Sequence, residues 1–541
     1  MELLLTLFTA GATSLAIVPL MMRLAPHLGM VDVPNARKVH QQPVPRVGGW
    51  GIVFGVLAAV LAWAPLDPLV LSYVFGVAVL FAFGAWDDRK ELGHYAKFLG
   101  QFVAVLPVVV WAGLYVSRFP FVGPATIPVW AAMGFTVFAL VGMANAINHS
   151  DGLDGLAGGE SVLSLVAIGF LAYLAGGNVT VLIAVAVMGG VFGFLRYNTH
   201  PAVVFMGDSG SQAIGFSLGV LALLLTQRVD ASLSPSVVAL LLGLPIADIL
   251  YVFYRRIREG NNWFRATKNH VHHRLIERGF THYEAVVIIY SIQILFVSSG
   301  LLLRHASDWL IAGVYLAVCG AVFGSLYVAE RLDWKVRRDA AAATPRWLAR
   351  LKRRDALLVE APRRFLELAI PAYLIVASLS LGKVPVELGL GAVALLVLLV
   401  VDLLVGKNTR SISRRAILFC IGALIVYLSF VRAVPASAWM SVALPVFFVM
   451  LGTAMVVAIR FNPGRRKEEF RITAMDYLIV LIVFITPIAA GRALNASGFL
   501  AAMLVLLYGL ELMISERRQR REIVSVASLA AAAMVALKAF L

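Results

Sequence analysis

The sequence predicts an all-α, polytopic integral membrane protein, and three observations carry that reading. Of its 541 residues, 60% are hydrophobic and only 14% are charged, against roughly 45–50% and about 25% in a soluble domain. The mean hydropathy is +0.87. The apolar residues are gathered into runs close to the ~20 residues that a helix needs to cross a bilayer. Disordered, collagenous and disulfide-stapled classes are excluded on the same grounds. Cys319 and Cys420 both lie inside apolar runs, so no disulfide framework is expected.

Eighteen such runs are expected as helices. Eleven fill residues 1–330, at 2–20, 49–65, 68–86, 98–116, 127–146, 160–175, 179–195, 211–226, 235–254, 284–303 and 309–329. The first has no basic leading region and no small-residue cleavage site, so it is expected to stay as a helix. Residues 331–365 are basic, Ala-rich and interrupted by Pro345. They are expected as a cytoplasmic linker, either solvated or resting as an amphipathic helix on anionic headgroups. Seven further runs follow within 366–541, at 366–382, 386–405, 415–431, 437–459, 475–491, 495–515 and 523–541. They contain no histidine; Asp402, Asp476 and Glu511 sit near helix ends, where a charge costs less than at the bilayer centre. This second half carries no catalytic constellation, and a structural or partner-binding role is expected for it.

Orientation follows from the basic residues. With the N-terminus outside and the loops alternating, all but seven of the 46 Lys and Arg residues fall on the inner side. The net charge of +16 is therefore a signature of topology, and nucleic acid is not expected as a partner. Nine of the ten histidines also fall in inner loops or at their edges; only His305 lies outside.

Inner loops are usually short and basic, yet three here are acidic and Gly-rich. They are Trp86-Asp87-Asp88-Arg89, Asn145-Ala-Ile-Asn148-His-Ser-Asp151-Gly-Leu-Asp154-Gly, and Phe205-Met-Gly207-Asp208-Ser-Gly210-Ser211. Five carboxylates converging on one membrane face repel one another unless a cation lies between them. Oxygen ligands without cysteine favour Mg2+ or Mn2+ over zinc. A Gly-Asp-Ser-Gly-Ser stretch opening an apolar helix is suited to seat a phosphate on free N–H groups, though each loop taken alone also reads as plain helix capping. Lys38, His40 and Arg46, in a loop stiffened by Pro43 and Pro45, offer cations to an anion, as does Lys97 beside Gln101. The Asn269-His270-Val-His272-His273-Arg274-Leu stretch is a weak zinc signal, lacking Cys and HExxH. Beside Arg274, its imidazoles are better suited to phosphate or sugar oxygens. Carboxylates, a hard metal, histidines and arginines at one lipid–water boundary suit the joining of a nucleotide diphosphate to a lipid phosphate.

Taken in order, KVHQQPVPRVGG, the Asp87-Asp88 pair followed by Lys97 and Gln101, NAINHSDGLDGLAGG, MGDSGS and HVHHRL resemble the polyprenyl-phosphate N-acetylhexosamine-1-phosphate transferases (glycosyltransferase family 4). The resemblance covers about residues 1–330. It implies transfer of a HexNAc-1-phosphate, GlcNAc-1-phosphate above all, from a UDP-sugar to undecaprenyl phosphate. The lipid phosphate attacks the β-phosphorus and UMP is released, initiating lipid-linked glycan synthesis at the cytoplasmic face of a bacterial inner membrane. It further implies Mg2+ held by Asp208 and Asn148, with Asp87, Asp88 and Asp151 as catalytic carboxylates. Asp154 would approach the uracil, Phe205 would stack on it, and Lys97, His270, His272, His273 and Arg274 would bind diphosphate and sugar. The family also allows a homodimer. Two departures stand out: Arg265-Ala-Thr267-Lys-Asn has no acidic residue before the histidines, and His149-Ser150 replaces commoner apolar residues. The alternative reading is a transporter, flippase or scaffold for lipid-linked glycans with a non-catalytic transferase-like half.

Overall fold

A computed structural model describes residues 2–32, 43–122, 127–260, 269–336, 355–405, 412–431, 438–460, 495–516 and 518–541. These form two compact units, one holding the described residues up to Val336 and the other those from Asp355 onward.

In the first unit, the expected runs become α1 (Glu2–Leu28), α2 (Gly48–Trp63), α3 (Pro68–Arg89), α4 (His94–Leu106), α5 (Val129–Ser150), α6 (Leu156–Leu174), α7 (Asn178–Asn198) and α8 (Asp208–Leu224). A two-residue antiparallel ribbon, β1 (Val31–Asp32) with β2 (Val44–Pro45), stands between α1 and α2. Local chemistry sets the helix ends. α3 begins with Pro68 in its first turn and the Asp67 carboxylate accepting from Val70 N at 2.8 Å, a cap worth about 1 kcal/mol.

The run expected at 235–254 is interrupted. α9 (Val237–Leu241) stops, and α10 (Gly243–Arg258) starts afresh after Leu242. Backbone groups freed inside an apolar region need a partner. Gln293 supplies it, accepting from Leu244 N at 2.9 Å and donating to Ser164 Oγ at 3.0 Å. Gln293 comes from α12 (His282–Leu303), which follows the short α11 (Val271–Glu277) and precedes α13 (Asp308–Arg331).

α8 is the axis of this unit. It packs against α2, α3, α5, α6 and α7, and every residue from Ser209 to Leu224 is buried. Small residues make that possible, as in other tightly packed membrane helices. A side chain at Gly215 would meet the Met143 carbonyl at 2.5 Å, and one at Gly84 would meet Ser209 Cα at 2.4 Å. Tyr73 reaches Ser217 Oγ at 2.8 Å and stacks on Phe216.

The second unit contains α14 (Asp355–Ser380), α15 (Val386–Val405), α16 (Ile412–Val431), α17 (Ala438–Arg460), α18 (Asn495–Glu516) and α19 (Arg518–Phe540), around its own apolar core. α14 begins inside the stretch expected as linker. The run expected at 475–491, with Asp476, lies outside the described residues. Asp402 meets Arg414 at 2.5 Å, Glu511 meets Arg415 at 3.1 Å, and Glu367 pairs with Arg520.

The chain is thus an all-α multi-pass membrane protein. Among the described residues, eleven helices are long and apolar enough to cross a membrane, nine in the first unit and two in the second. Two of the expected runs differ in the described residues: α2 has only 16 residues, and the 235–254 run is broken at Leu242.

The packing around α8 makes a prediction. Gly84→Ala should lower thermal stability by about 1–3 kcal/mol, because the obstructing atoms are backbone. Gly134→Ala, with nothing within 4 Å of its added methyl, should be neutral or stabilising. Thermal melts of the two variants in detergent compare them directly.

Candidate active site

The N-terminus of α8 is capped from another helix. Gly207 precedes it with φ +74, and a Cβ there would lie 2.5 Å from an Asp88 oxygen. Asp88, buried at the end of α3, accepts from Asp208 N at 2.8 Å, Ser209 N at 3.2 Å and Ser209 Oγ at 2.8 Å. Its carboxylate therefore satisfies the orphan N–H groups that a glycine cannot cap, and it complements the positive end of the helix.

Asp87 points elsewhere, since adjacent residues on a helix do not share a face. It accepts from Leu92 N at 2.7 Å and meets Lys97 Nζ at 2.8 Å. The same ammonium meets Asp208 Oδ2 at 2.8 Å, so Lys97 bridges two carboxylates. Asn148 Nδ2 donates to Asp208 Oδ1 at 3.0 Å and to Ser211 Oγ at 2.8 Å, while Gln212 Nε2 donates to Asp208 Oδ2 at 3.2 Å. Behind them, Gln101 bonds to Asn145 and Gln212. Ser211 Oγ itself donates to Gly207 O at 3.0 Å. That fixes the Asn148 amide with its nitrogen toward Asp208 and its oxygen free of these bonds.

These groups open into a cavity of about 1000 Å³. Its lining includes Asp88, Asn148, Asp151, Asp154 and Asp208, together with Arg46 and Phe205. Backbone bonds hold the Arg46 loop there: Gly48 N donates to Phe205 O at 2.9 Å, Gly49 N to Met206 O at 2.8 Å, and Phe205 N to Pro45 O at 2.8 Å. Arg46 pairs with Asp32. Burial and the carboxylates of Asp208, Asp88 and Asp154 push Asp151 up to about 7, against the pull of Arg46. Burial would raise Asp154 too. Bonds from His200 (2.6 Å) and Ala202 N (3.1 Å), and the nearby His282, hold it below the usual carboxylate range. The oxygens of Asp208, Asn148 and Asp151 form a hard donor set, and the Lys97 ammonium already seated on Asp208 shows that this group accepts a cation. Mg2+ fits them.

The histidine motif divides. His273 lines the cavity. His270 is buried, with Nδ1 2.6 Å from Asp248 Oδ2, and Asp248 also accepts from Val271 N at 2.9 Å. His272 lies against Gly152, and burial with its imidazole neighbours keeps it neutral, well below its usual range. Arg274 Nε donates to Glu330 at 2.6 Å and its guanidinium lies over Tyr251.

The structure therefore gathers Arg46, Asp88, Asn148, Asp151, Asp154, Phe205, Asp208 and His273 around one cavity, with Asp87 and Lys97 attached through Asp208. His270, His272 and Arg274 are not among the residues that line that cavity. Both oxygens of Asp88 are engaged by α8, which makes it a positioning group in this arrangement. Lys38 and His40 lie outside the described residues. Sequence reasoning passed over Asp248, His200, His282 and Glu330. A carboxylate inside an apolar run is itself a functional signal, and it would have marked Asp248.

Residues 70–226 match the family described as Glycosyl transferase family 4. The chain is 38% identical over 302 residues to a probable undecaprenyl-phosphate N-acetylglucosaminyl 1-phosphate transferase of Bacillus subtilis (strain 168), covering 55% of this chain and 84% of that protein. It is 35% identical over 323 residues to a decaprenyl-phosphate N-acetylglucosaminephosphotransferase of Mycobacterium leprae (strain TN), covering 53% and 80%. With the undecaprenyl-phosphate alpha-N-acetylglucosaminyl 1-phosphate transferase of Escherichia coli (strain K12) it shares 30% identity over 341 residues, 61% of this chain and 90% of the other. The acid-walled cavity and these similarities lead to one conclusion: the chain belongs to the glycosyl transferase family 4 enzymes, the family of the polyprenyl-phosphate N-acetylglucosamine-1-phosphate transferases.

Proposed function

We propose that this protein transfers GlcNAc-1-phosphate from UDP-GlcNAc to undecaprenyl phosphate at the cytoplasmic face of the inner membrane, releasing UMP. One observation carries the reading: a single ammonium, Lys97, bridges Asp87 and Asp208 at the capped N-terminus of α8, on the edge of the acidic cavity. An oxygen of the lipid phosphate forms the new bond to the β-phosphorus. The bond from that phosphorus to the oxygen bridging the α-phosphate breaks, and the oxygen leaves on UMP.

The chain's own groups have separable tasks in this reading. Asp88 holds the Gly207–Ser211 turn. Asp87 holds Lys97 and accepts from Leu92 N. Lys97 neutralises charge that develops on the transferring phosphoryl group. Asp154 and Phe205 face the nucleotide base, and Arg46 and His273, which line the same cavity, face diphosphate and sugar. Asp208, Asn148 and Asp151 would hold Mg2+, which when bound offsets phosphate charge and polarises the β-phosphoryl oxygens. The placement of basic loops supports an inner-facing site with the N-terminus outside.

Three outcomes are expected. Purified protein with Mg2+, UDP-GlcNAc and undecaprenyl phosphate releases UMP, and EDTA stops release until Mg2+ is restored. UMP release from no UDP-HexNAc, by folded protein with lipid acceptor present, sinks the enzyme reading and favours the transport or scaffold alternative. Asp208→Asn abolishes turnover while the melting curve stays cooperative; unchanged turnover removes the metal assignment. Lys97→Met lowers kcat by about 100-fold or more, the usual cost of deleting one charge-stabilising donor, and a change confined to KM would make Lys97 a binding residue only.

A further inference from the structure

We propose a transition-metal site, suited to Zn2+, formed by Asp154, His200 and His282 on the rim of the cavity. The three residues come from separate segments: the turn after α5, the loop after α7 and the first residue of α12. The structure nonetheless brings their ligand atoms within 4.8 Å of one another. His200 Nδ1 stands 2.6 Å and His282 Nε2 3.9 Å from the same oxygen, Asp154 Oδ2. The two imidazole rings stack at 4.1 Å.

Zinc takes nitrogen and carboxylate oxygen at about 2.0–2.2 Å, which in a tetrahedron separates ligand atoms by roughly 3.4 Å. His200 must ease outward and His282 close inward, each by less than about 1 Å. His282 Nε2 is buried without a hydrogen-bond partner, an atom whose desolvation a metal ion would offset. Neutral imidazole is the form that ligates a metal ion. Ala202 N, donating to Asp154 at 3.1 Å, supplies the outer support that orients a ligating carboxylate. Two histidines and one carboxylate leave a fourth position open, as in zinc sites that bind a further ligand, and all three residues line the cavity.

The site is distinct in chemistry from the oxygen cluster at Asp208. Imidazole nitrogen selects zinc-like ions, whereas carboxylate and carbonyl oxygens suit Mg2+. The histidines of the HVHH stretch are differently placed: His270 Nδ1 bonds to Asp248, and His272 packs on Gly152.

The test uses full-length protein without a histidine tag, in detergent with excess Mg2+. Zn2+ is titrated against a chromophoric chelator, and Co2+ is followed by its ligand-field absorption. One equivalent should bind the unmodified protein and give a tetrahedral Co2+ spectrum. His200→Ala, at an exposed position, should weaken binding at least tenfold, and His282→Ala likewise, each checked by its melting curve. His273→Ala, on the same cavity wall, should bind as the unmodified protein does. Absence of Zn2+ binding in excess Mg2+, or equal affinity in His200→Ala, overturns the proposal. Neither readout depends on turnover, so failure here leaves the transferase reading standing.

Discussion

The first unit depends on one buried interaction, the Asp88 carboxylate seated on the N-terminus of α8. α8 is surrounded by other helices from Ser209 onward, and its first N–H groups find their partner in the protein. A side chain at position 207 cannot be that partner, because a Cβ would strike Asp88 itself. The cap must come from α3, and it brings α3, α8 and the Gly207–Ser211 turn into one rigid piece. Close contacts at Gly49 and Gly84 then follow, since the turn has neighbours on both sides.

Chemistry is arranged around that piece. With Asp88 engaged by α8, Asp208 is left to project from the first helical position toward Lys97, Asn148 and Gln212. Lys97 answers two carboxylates, while Asp151 has no comparable partner and keeps its proton up to about 7. A cation entering beside Asp208 would favour its ionised form, which ties metal occupancy to the charge of the whole wall. The family membership and the site describe one reaction class. The second unit has an apolar core, and its Asp402–Arg414 and Glu511–Arg415 ion pairs join residues near helix ends.

Much of this was legible in the sequence, and the limits have physical causes. Apolar run length located the long helices of the first unit, because a span's length is a local property, but not the short α11. The break at Leu242 was not legible, because the acceptor that makes it tolerable, Gln293, comes from a helix fifty residues later. The convergence of Asp87, Asp151, Asp154 and Asp208 on one face was legible from alternation of loops. The division of labour between Asp87 and Asp88 was not, since it depends on which helix each carboxylate faces. The pairing of Arg274 with Glu330, from the far end of α13, was not legible either, since the two stand 56 residues apart. His200 and His282 were unremarkable apart, and they acquire chemistry only when the fold stacks them beside Asp154.

The most direct test of the central claim is a double-mutant cycle on the cap, with Asp88→Asn and Ser209→Ala measured singly and together by thermal unfolding of the intact protein. The two side chains share a 2.8 Å bond. The account predicts a coupling free energy of about 1–3 kcal/mol between them. Additivity within about 0.5 kcal/mol would contradict it, and would return Asp88 to the cavity as an independent group.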